Sequence, residues 1–205
     1  MGKIKFTKGE LKRQRDALKQ YERYLPTLQL KKQQLQMEIL HQLVILEERR
    51  KEAARKRQAI EAWAGLFSDP EVDLRPWIIP EETACSIRNI AGVDLPVFVQ
   101  VKFAPAEYDL FSAPLWVDNA VEALKELVSL LREIGVLEKA IATLRRELRI
   151  TAQRVNLFEK VKIPEAEEGI RLIKIYLGDQ MTNAVGRSKI AKKKIEEDVL
   201  EGAAA

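Results

Sequence analysis

One cysteine, one histidine and an aromatic share of only 6% in 205 residues set the first limits on this chain. The solitary Cys85 excludes an internal disulfide and fits a reducing compartment. The solitary His41 sits beside the apolar edge of Ile39, Leu40 and Leu43, where a packed or surface role explains it better than a catalytic base. With so few rings the chain is poorly equipped to fill a large compact core. There is no HExxH, no CxxC and no Asp-rich calcium loop. The stretch Gly186-Arg187-Ser188-Lys189 looks superficially like a phosphate loop, yet it lacks the GxxxxGK[ST] spacing and falls inside a helical stretch. Carboxylates follow helix-surface spacing and form no convergent pair. Catalytic, cofactor and metal sites are therefore not expected. Apolar runs are a few residues long, far short of the ~20 that span a bilayer. The start, Met1 to Lys8, carries no apolar signal core. A cytoplasmic chain that reaches a membrane only through a partner is expected.

What the chain does have is periodicity. Leu11, Leu18, Leu25, Lys32, Ile39, Leu46, Ala53, Ile60 and Phe67 recur every seven residues, with Tyr21, Leu28, Leu35 and Trp63 at the half-steps. A second stripe alternates Leu127, Ile134, Ile141, Leu148 and Val155 with Leu130, Leu137, Leu144, Thr151 and Phe158. Apolar residues at that period form a seam that must face another helix. The predicted fold is mainly α: a long antiparallel two-helix coiled coil of the N- and C-terminal helices, with a small mid-chain head containing a β-hairpin. The charged fraction of 32% suits long exposed helices.

Thr7 and Glu10 make a capping-box pattern that starts the first helix, and Gly65 stops it near Ala64. Pro26 should kink it near Tyr24. The charged run Glu47 to Arg57 reads as a solvated face. Six of the eight prolines fall between Ser68 and Pro114, which excludes a long helix there. Within that span Thr83 to Ile90 and Val97 to Phe103 are predicted strands, joined by a loop from Ala91 to Pro96. Val97, Val99, Val101 and Phe103 alternate with Phe98, Gln100 and Lys102, the two-residue period of a half-buried strand. Trp63, Trp77 and Trp116 should pack around this head. Helix resumes near Trp116 and continues almost to Glu201, weakened by Gly135 and Gly169 and bent at Pro164. Ile170, Ile173, Leu177, Met181, Ala184, Ala191 and Ile195 carry its apolar face onward. The three segments are 1–65, 66–117 and 118–205. At 1.5 Å per residue the two helices span roughly 85 and roughly 120 Å. A register placing Leu11 near Ile195 and Ile60 near Leu144 is expected.

The formal charge is +4, but its distribution says more. Lys3, Lys5, Lys8, Lys12, Arg13, Arg15 and Lys19 crowd one end, and Arg187, Lys189, Lys192, Lys193 and Lys194 the other. In an antiparallel pair both clusters would share a tip. A solvated helix end accounts for them plainly; a docking tip for an acidic or polar partner is the functional account. Nucleic acid is not expected, because no stacking platform or base-reading motif accompanies the cations.

Several stretches, taken in order, resemble one family. Leu18-Lys19-Gln20-Tyr21-Glu22-Arg23-Tyr24-Leu25-Pro26, leading into Leu28 to Leu35, resembles the first helix of the D subunit of V/A-type ATPases in its bacterial form. Ile87-Arg88-Asn89-Ile90-Ala91-Gly92-Val93, Tyr108-Asp109-Leu110-Phe111 and Pro114-Leu115-Trp116-Val117-Asp118 do so too. The most specific stretch is Arg154-Val155-Asn156-Leu157-Phe158-Glu159-Lys160 with Ile163-Pro164, similar to that family's RVN…E…IP signature. The resemblance implies a non-catalytic central-stalk rotor shaft. Its tip would enter the A/B catalytic hexamer, its midsection would bind the F subunit, and its lower end would meet the C or d subunit on the membrane ring. It would then couple ATP hydrolysis or synthesis to ion translocation. The expected hexamer-facing residues are Lys8, Lys12, Arg15, Lys189, Lys192 and Lys193. A second, regulatory contact would be the hairpin, with Ile87, Arg88, Ile90, Val97, Val99 and Val101. The seam of Leu11, Leu18, Leu25, Ile39, Leu46, Ile134, Ile141, Leu148 and Val155 would supply stiffness. A free-standing coiled-coil scaffold shares the stripes and is the rival reading.

Overall fold

A computed structural model of the chain describes residues 5–68, 73–105 and 114–203. Pro70 and the Tyr108 to Phe111 stretch lie outside them. Helix α1 spans Lys8–Glu61, followed by a 3-10 turn at Ala64–Ser68 and a short α2 at Arg75–Ile78. Strands β1 (Pro80–Ile90) and β2 (Val93–Phe103) form the sheet. Helix α3 (Trp116–Leu157), a π-helical turn at Phe158–Lys162 and α4 (Ile163–Ala203) complete the order. The fold class is as predicted: mainly α, long helices at both ends, one antiparallel hairpin between. Two compact units divide the chain, Met1–Gln29 with Ala152–Ala205, and Leu30–Thr151.

The start of α1 follows from its cap. The Glu10 N–H donates to Thr7 Oγ1 at 3.2 Å, satisfying one of the donors that a helix start leaves open. The Glu10 carboxylate does not reach back; it accepts from Gln14 Nε2 at 2.8 Å instead. The helix runs without a break in its assignment through Pro26, and the Thr27 hydroxyl donates to the Tyr24 carbonyl at 2.7 Å.

In the Leu30–Thr151 unit the seam is a true core. Leu35, Ile39, Ala140 and Leu144 are buried in one cluster, and Leu46, Ala53, Leu130, Ile134 and Ile141 in the next. Leu148 packs against the first cluster. Ion pairs tie the same two helices: Arg49 to Glu133 at 2.9 Å, Arg50 to Glu138 at 2.7 Å and Lys56 to Glu126 at 2.7 Å. These contacts overturn the expected register. Ile60 does not lie near Leu144, because Lys56 already faces Glu126 and Ala53 shares a cluster with Leu130. The predicted alignment ignored the hairpin, whose turn end occupies the surface of Leu144. A third cluster buries Leu74, Val117, Ala120 and Val121 under Trp63, Phe67, Trp77 and Trp116, with the Trp63 and Phe67 rings edge-on at 5.2 Å.

In the other unit Leu11, Leu18 and Leu25 are half-buried, and Val155, Ala166, Ile170 and Ile173 are buried. Rings mark the alignment: Phe6 lies 5.1 Å from Tyr176, and Tyr21 lies 5.3 Å from Phe158. Leu11 therefore sits well short of Ile195, and the expected register fails here too.

The π turn has a reason in the stripe. The seven-residue step ending at Val155 and Phe158 would continue through Lys162, Glu165, Gly169 and Leu172. Beyond the turn Ala166, Ile170 and Ile173 are buried and Leu177 is half-buried, one position later than that step, while Gly169 and Lys162 on the step itself are buried and half-buried as well. A turn closed by bonds five residues apart absorbs one extra residue, and the Ile163 N–H donates to the Phe158 carbonyl to close it. Pro164, which lacks an N–H, follows directly. The expected proline bend takes the form of this wider turn.

The hairpin is longer and tighter than predicted. Both strands have 11 residues, and only Ala91 and Gly92 form the turn, with φ of 52° and 72°. Two positive φ values define the turn whose twist matches a hairpin. Asn89 Oδ1 accepts from the Gly92 N–H at 3.1 Å, and Asn89 Nδ2 donates to Asp94 Oδ1 at 2.6 Å. Pro96 had suggested a loop, but it pairs opposite Ile87 within the ribbon. A two-stranded ribbon leaves alternate N–H groups facing outward, so it accommodates proline.

Candidate partner-binding surfaces

The hairpin valines do not share a face. Ala84 pairs with Gln100 and Cys85 with Phe98, so Val99 is an extra residue in β2. That bulge reverses the alternation. Val93, Leu95 and Val97 lie on one face, while Phe98, Val101 and Phe103 lie on the other. Near the turn the first face is down: Val93 and Leu95 are buried against Leu35, Ile39, Ala140 and Leu144, with Ile90 packed beside them. Toward the base Phe98, Val101 and Phe103 are half-buried, and Lys125 stands over the Phe103 ring at 5.7 Å. Ile87 is left 78% exposed and Val99 56%, and Arg88 and Val97 are exposed as well. Of the six hairpin candidates, then, Ile87, Arg88, Val97 and Val99 are available to a partner; Ile90 and Val101 are partly occupied in holding the hairpin. The base also carries a cross-strand ion pair, Glu82 to Lys102 at 2.8 Å. Its hydrogen bond and charge lower the Glu82 pKa and raise that of Lys102.

Beside the hairpin turn α1 presents a second stripe. Leu30, Met37, Leu40 and Val44 are all exposed, and Leu30, Met37 and Val44 repeat every seven residues. A shallow groove of about 620 Å³ on one side is lined by Met37, Ile39, Leu40 and Leu148 with Gln33 and Gln36. Another of about 760 Å³ involves Leu30, His41, Ile90 and Ala91. The sequence reading missed this stripe, although its step is visible beside the seam.

The third surface is the far part of α4. From Gly178 to Glu197 every side-chain-bearing position is exposed, including Met181, Val185, Ile190 and Ile195. Lys189, Lys192 and Lys193 lie on this stretch, the last two within 3.5 Å of Glu196 and Glu197. Lys8, Lys12 and Arg15 are exposed as well, but Phe6 lies level with Tyr176. Lys189 is therefore about 20 Å farther along α4 than that ring pair, at ~1.5 Å per residue. The two basic clusters form separate tiers, not one tip. Among the described residues no cluster of histidine, cysteine or carboxylate groups is arranged to hold a metal. No helix among them is long and apolar enough to cross a membrane.

Long helices at both ends, a docked hairpin and three exposed surfaces define a mainly helical protein of elongated elements. The family model for the ATP synthase D subunit matches residues 10–193. The V-type ATP synthase D subunit of Borreliella burgdorferi is 46% identical over 195 residues, covering 95% of this chain and 96% of that protein. The protein of the same name in Chlamydia pneumoniae is 36% identical over 199 residues, covering 94% and 93%. That in Chlamydia muridarum is 34% identical over 196 residues, covering 95% and 97%. The chain belongs to the ATP synthase D-subunit family.

Proposed function

We propose that this chain is the central-stalk rotor shaft of a V/A-type rotary ATPase or ATP synthase. It couples nucleotide turnover in the A/B hexamer to ion translocation through the membrane ring, and is itself non-catalytic. The observation that carries this reading is the α4 segment from Gly178 to Glu197, where Met181, Val185, Ile190 and Ile195 and the cations from Arg187 to Lys194 are all exposed. An isolated helix of this kind is marginal in water, which favours a partner that encloses it. Lys189, Lys192 and Lys193 face that hexamer, and Lys8, Lys12 and Arg15 meet it one tier lower. The F subunit takes the midsection, against the hairpin and the Leu30 to Val44 stripe. The C or d subunit joins the shaft to the ring. Neither nucleic acid nor direct membrane insertion has a part in it.

An asymmetric shaft inside a ring of repeated interfaces touches each one differently at any instant. Those differences bias each interface between open and closed states, and turnover moves the bias round. The sliding contacts are better made by many exposed cations than by one deep anchor, so single substitutions should matter little. The test mixes the purified chain with the F subunit and a preformed A/B hexamer, following co-elution and ATP hydrolysis. One copy per hexamer with altered turnover is expected, and Lys189→Glu, Lys192→Glu and Lys193→Glu together should weaken co-elution. A chain that stays apart from the hexamer as a symmetric oligomer would instead establish the scaffold reading.

A further inference from the structure

The apolar seam does not by itself say how α1 and α3 line up. Sliding α3 by one heptad replaces Leu127 by Ile134, Ile134 by Ile141 and Leu130 by Leu137, exchanging one branched apolar residue for another. The flanking charges do distinguish the alignments. Lys56 faces Glu126 and Arg49 faces Glu133, a step of seven on both helices, and Arg50 reaches Glu138. Arg49 is fixed at both ends, since its guanidinium also meets Glu52 at 2.9 Å. Those two carboxylates raise its pKa, the Glu52 hydrogen bond most, so it stays charged.

Slid one heptad toward the C-terminus of α3, Lys56 would meet Glu133, but Arg49 would face Ala140 and Arg50 would face Arg145. Slid the other way, Arg49 would meet Glu126, while Lys56 would face Asn119 and Arg50 would face Leu131. Only the observed alignment satisfies all three cations. Each pair is partly exposed and weak alone. Their value lies in discrimination, because a slipped register retains one pair at most.

We infer that the Arg49–Glu133, Arg50–Glu138 and Lys56–Glu126 ion pairs set the axial register of α1 against α3. A polar element then decides among alignments that the Leu127 to Leu137 part of the seam tolerates, alongside the Ala140 position, where a slip would bring Glu133 or Glu147 under the hairpin. The inference rests on the pairing geometry and not on the rotor reading, so either can fail alone.

The test places spin labels at the exposed positions Arg55 and Arg146 of the full-length chain, with Cys85→Ser, and measures their distance by pulsed dipolar spectroscopy. One heptad of slip moves the labels by about 10 Å along the helix axis. The native chain should give a single narrow distance. Glu126→Lys, Glu133→Lys and Glu138→Lys together should shift or split it by about 10 Å. Adding Arg49→Glu, Arg50→Glu and Lys56→Glu should restore it. If the triple lysine variant loses its helical circular dichroism, the triple Gln variant at the same positions decides by the same readout. An unchanged narrow distance in the folded variant would overturn the inference and assign register to apolar packing, notably the hairpin on Ala140.

Discussion

The two units solve the same problem, pairing an N-terminal with a C-terminal helical segment, with different materials. Leu30–Thr151 uses clustered leucine and isoleucine, three ion pairs between helices and a hairpin docked by Val93 and Leu95. Met1–Gln29 with Ala152–Ala205 matches its helices through ring contacts, and every ion pair described there joins residues three or four apart in sequence. From Gly178 to Glu197 all of its positions are exposed. The first unit buries a continuous core and leaves apolar surface only beside it, at Ile87, Val99 and the Leu30 to Val44 stripe, whereas the second leaves a long stretch of its own helix exposed. The same heptad logic thus yields a core in one place and an unfinished interface in the other. What differs is whether a second apolar surface arrives to meet the stripe.

The largest test of that contrast sets a buried stripe residue against an open one. Leu144 is fully buried, so Leu144→Ala should cost about 2–5 kcal/mol, read as a lower urea midpoint. Met181→Ala, at an exposed position, should stay within about 0.5 kcal/mol of wild type in the isolated chain. Equal losses at both positions would erase the distinction. A smaller effect is expected at the hairpin turn, where Ala91 adopts a positive φ that its Cβ disfavours. Ala91→Asn should stabilise by about 0.5–1 kcal/mol in thermal unfolding, because asparagine tolerates that conformation. No gain would mean that the turn is strained by its packing on the helices instead.

The smallest concerns pH. Lys102 lowers the pKa of Glu82, so the pair stabilises the hairpin above the ordinary carboxylate range and ceases to as pH falls through the lowered value. Lys102 is raised, so its share is lost only when pH climbs through that raised value. The melting difference between wild type and Glu82→Gln should be slight at neutral pH and vanish on acidification. A difference that persists in acid would show that Glu82 acts through something other than its charge.

Much of the fold was legible because helices and caps are local. The Thr7 cap, the seam from Ile39 to Leu148 and the gathering of Trp63, Trp77 and Trp116 all follow from residue type and spacing. Register was not legible, since a repeat of near-identical apolar residues offers many equivalent alignments. The two faces of the hairpin were not legible, because a bulge at Val99 leaves no mark in a run of alternating valines. Pro96 disguised a strand as a loop. The basic residues of the candidate tip were identifiable as a set, but their separation into two tiers depends on the same register.

The wide turn at Phe158–Lys162 also bears on how this helix tolerates a change in length. Losing one residue from a regular helix rotates everything beyond it by about 100° and turns the apolar face away from its partner. Here the wide turn is followed by Ala166, Ile170 and Ile173, each buried one position after the seven-residue step of Val155 and Phe158. Removing one between Phe158 and Ile163, with Pro164→Ala to relieve the ring, would return both halves of the stripe to a single phase. At this wide turn a deletion would thus leave the buried Ala166, Ile170 and Ile173 in step with Val155 and Phe158.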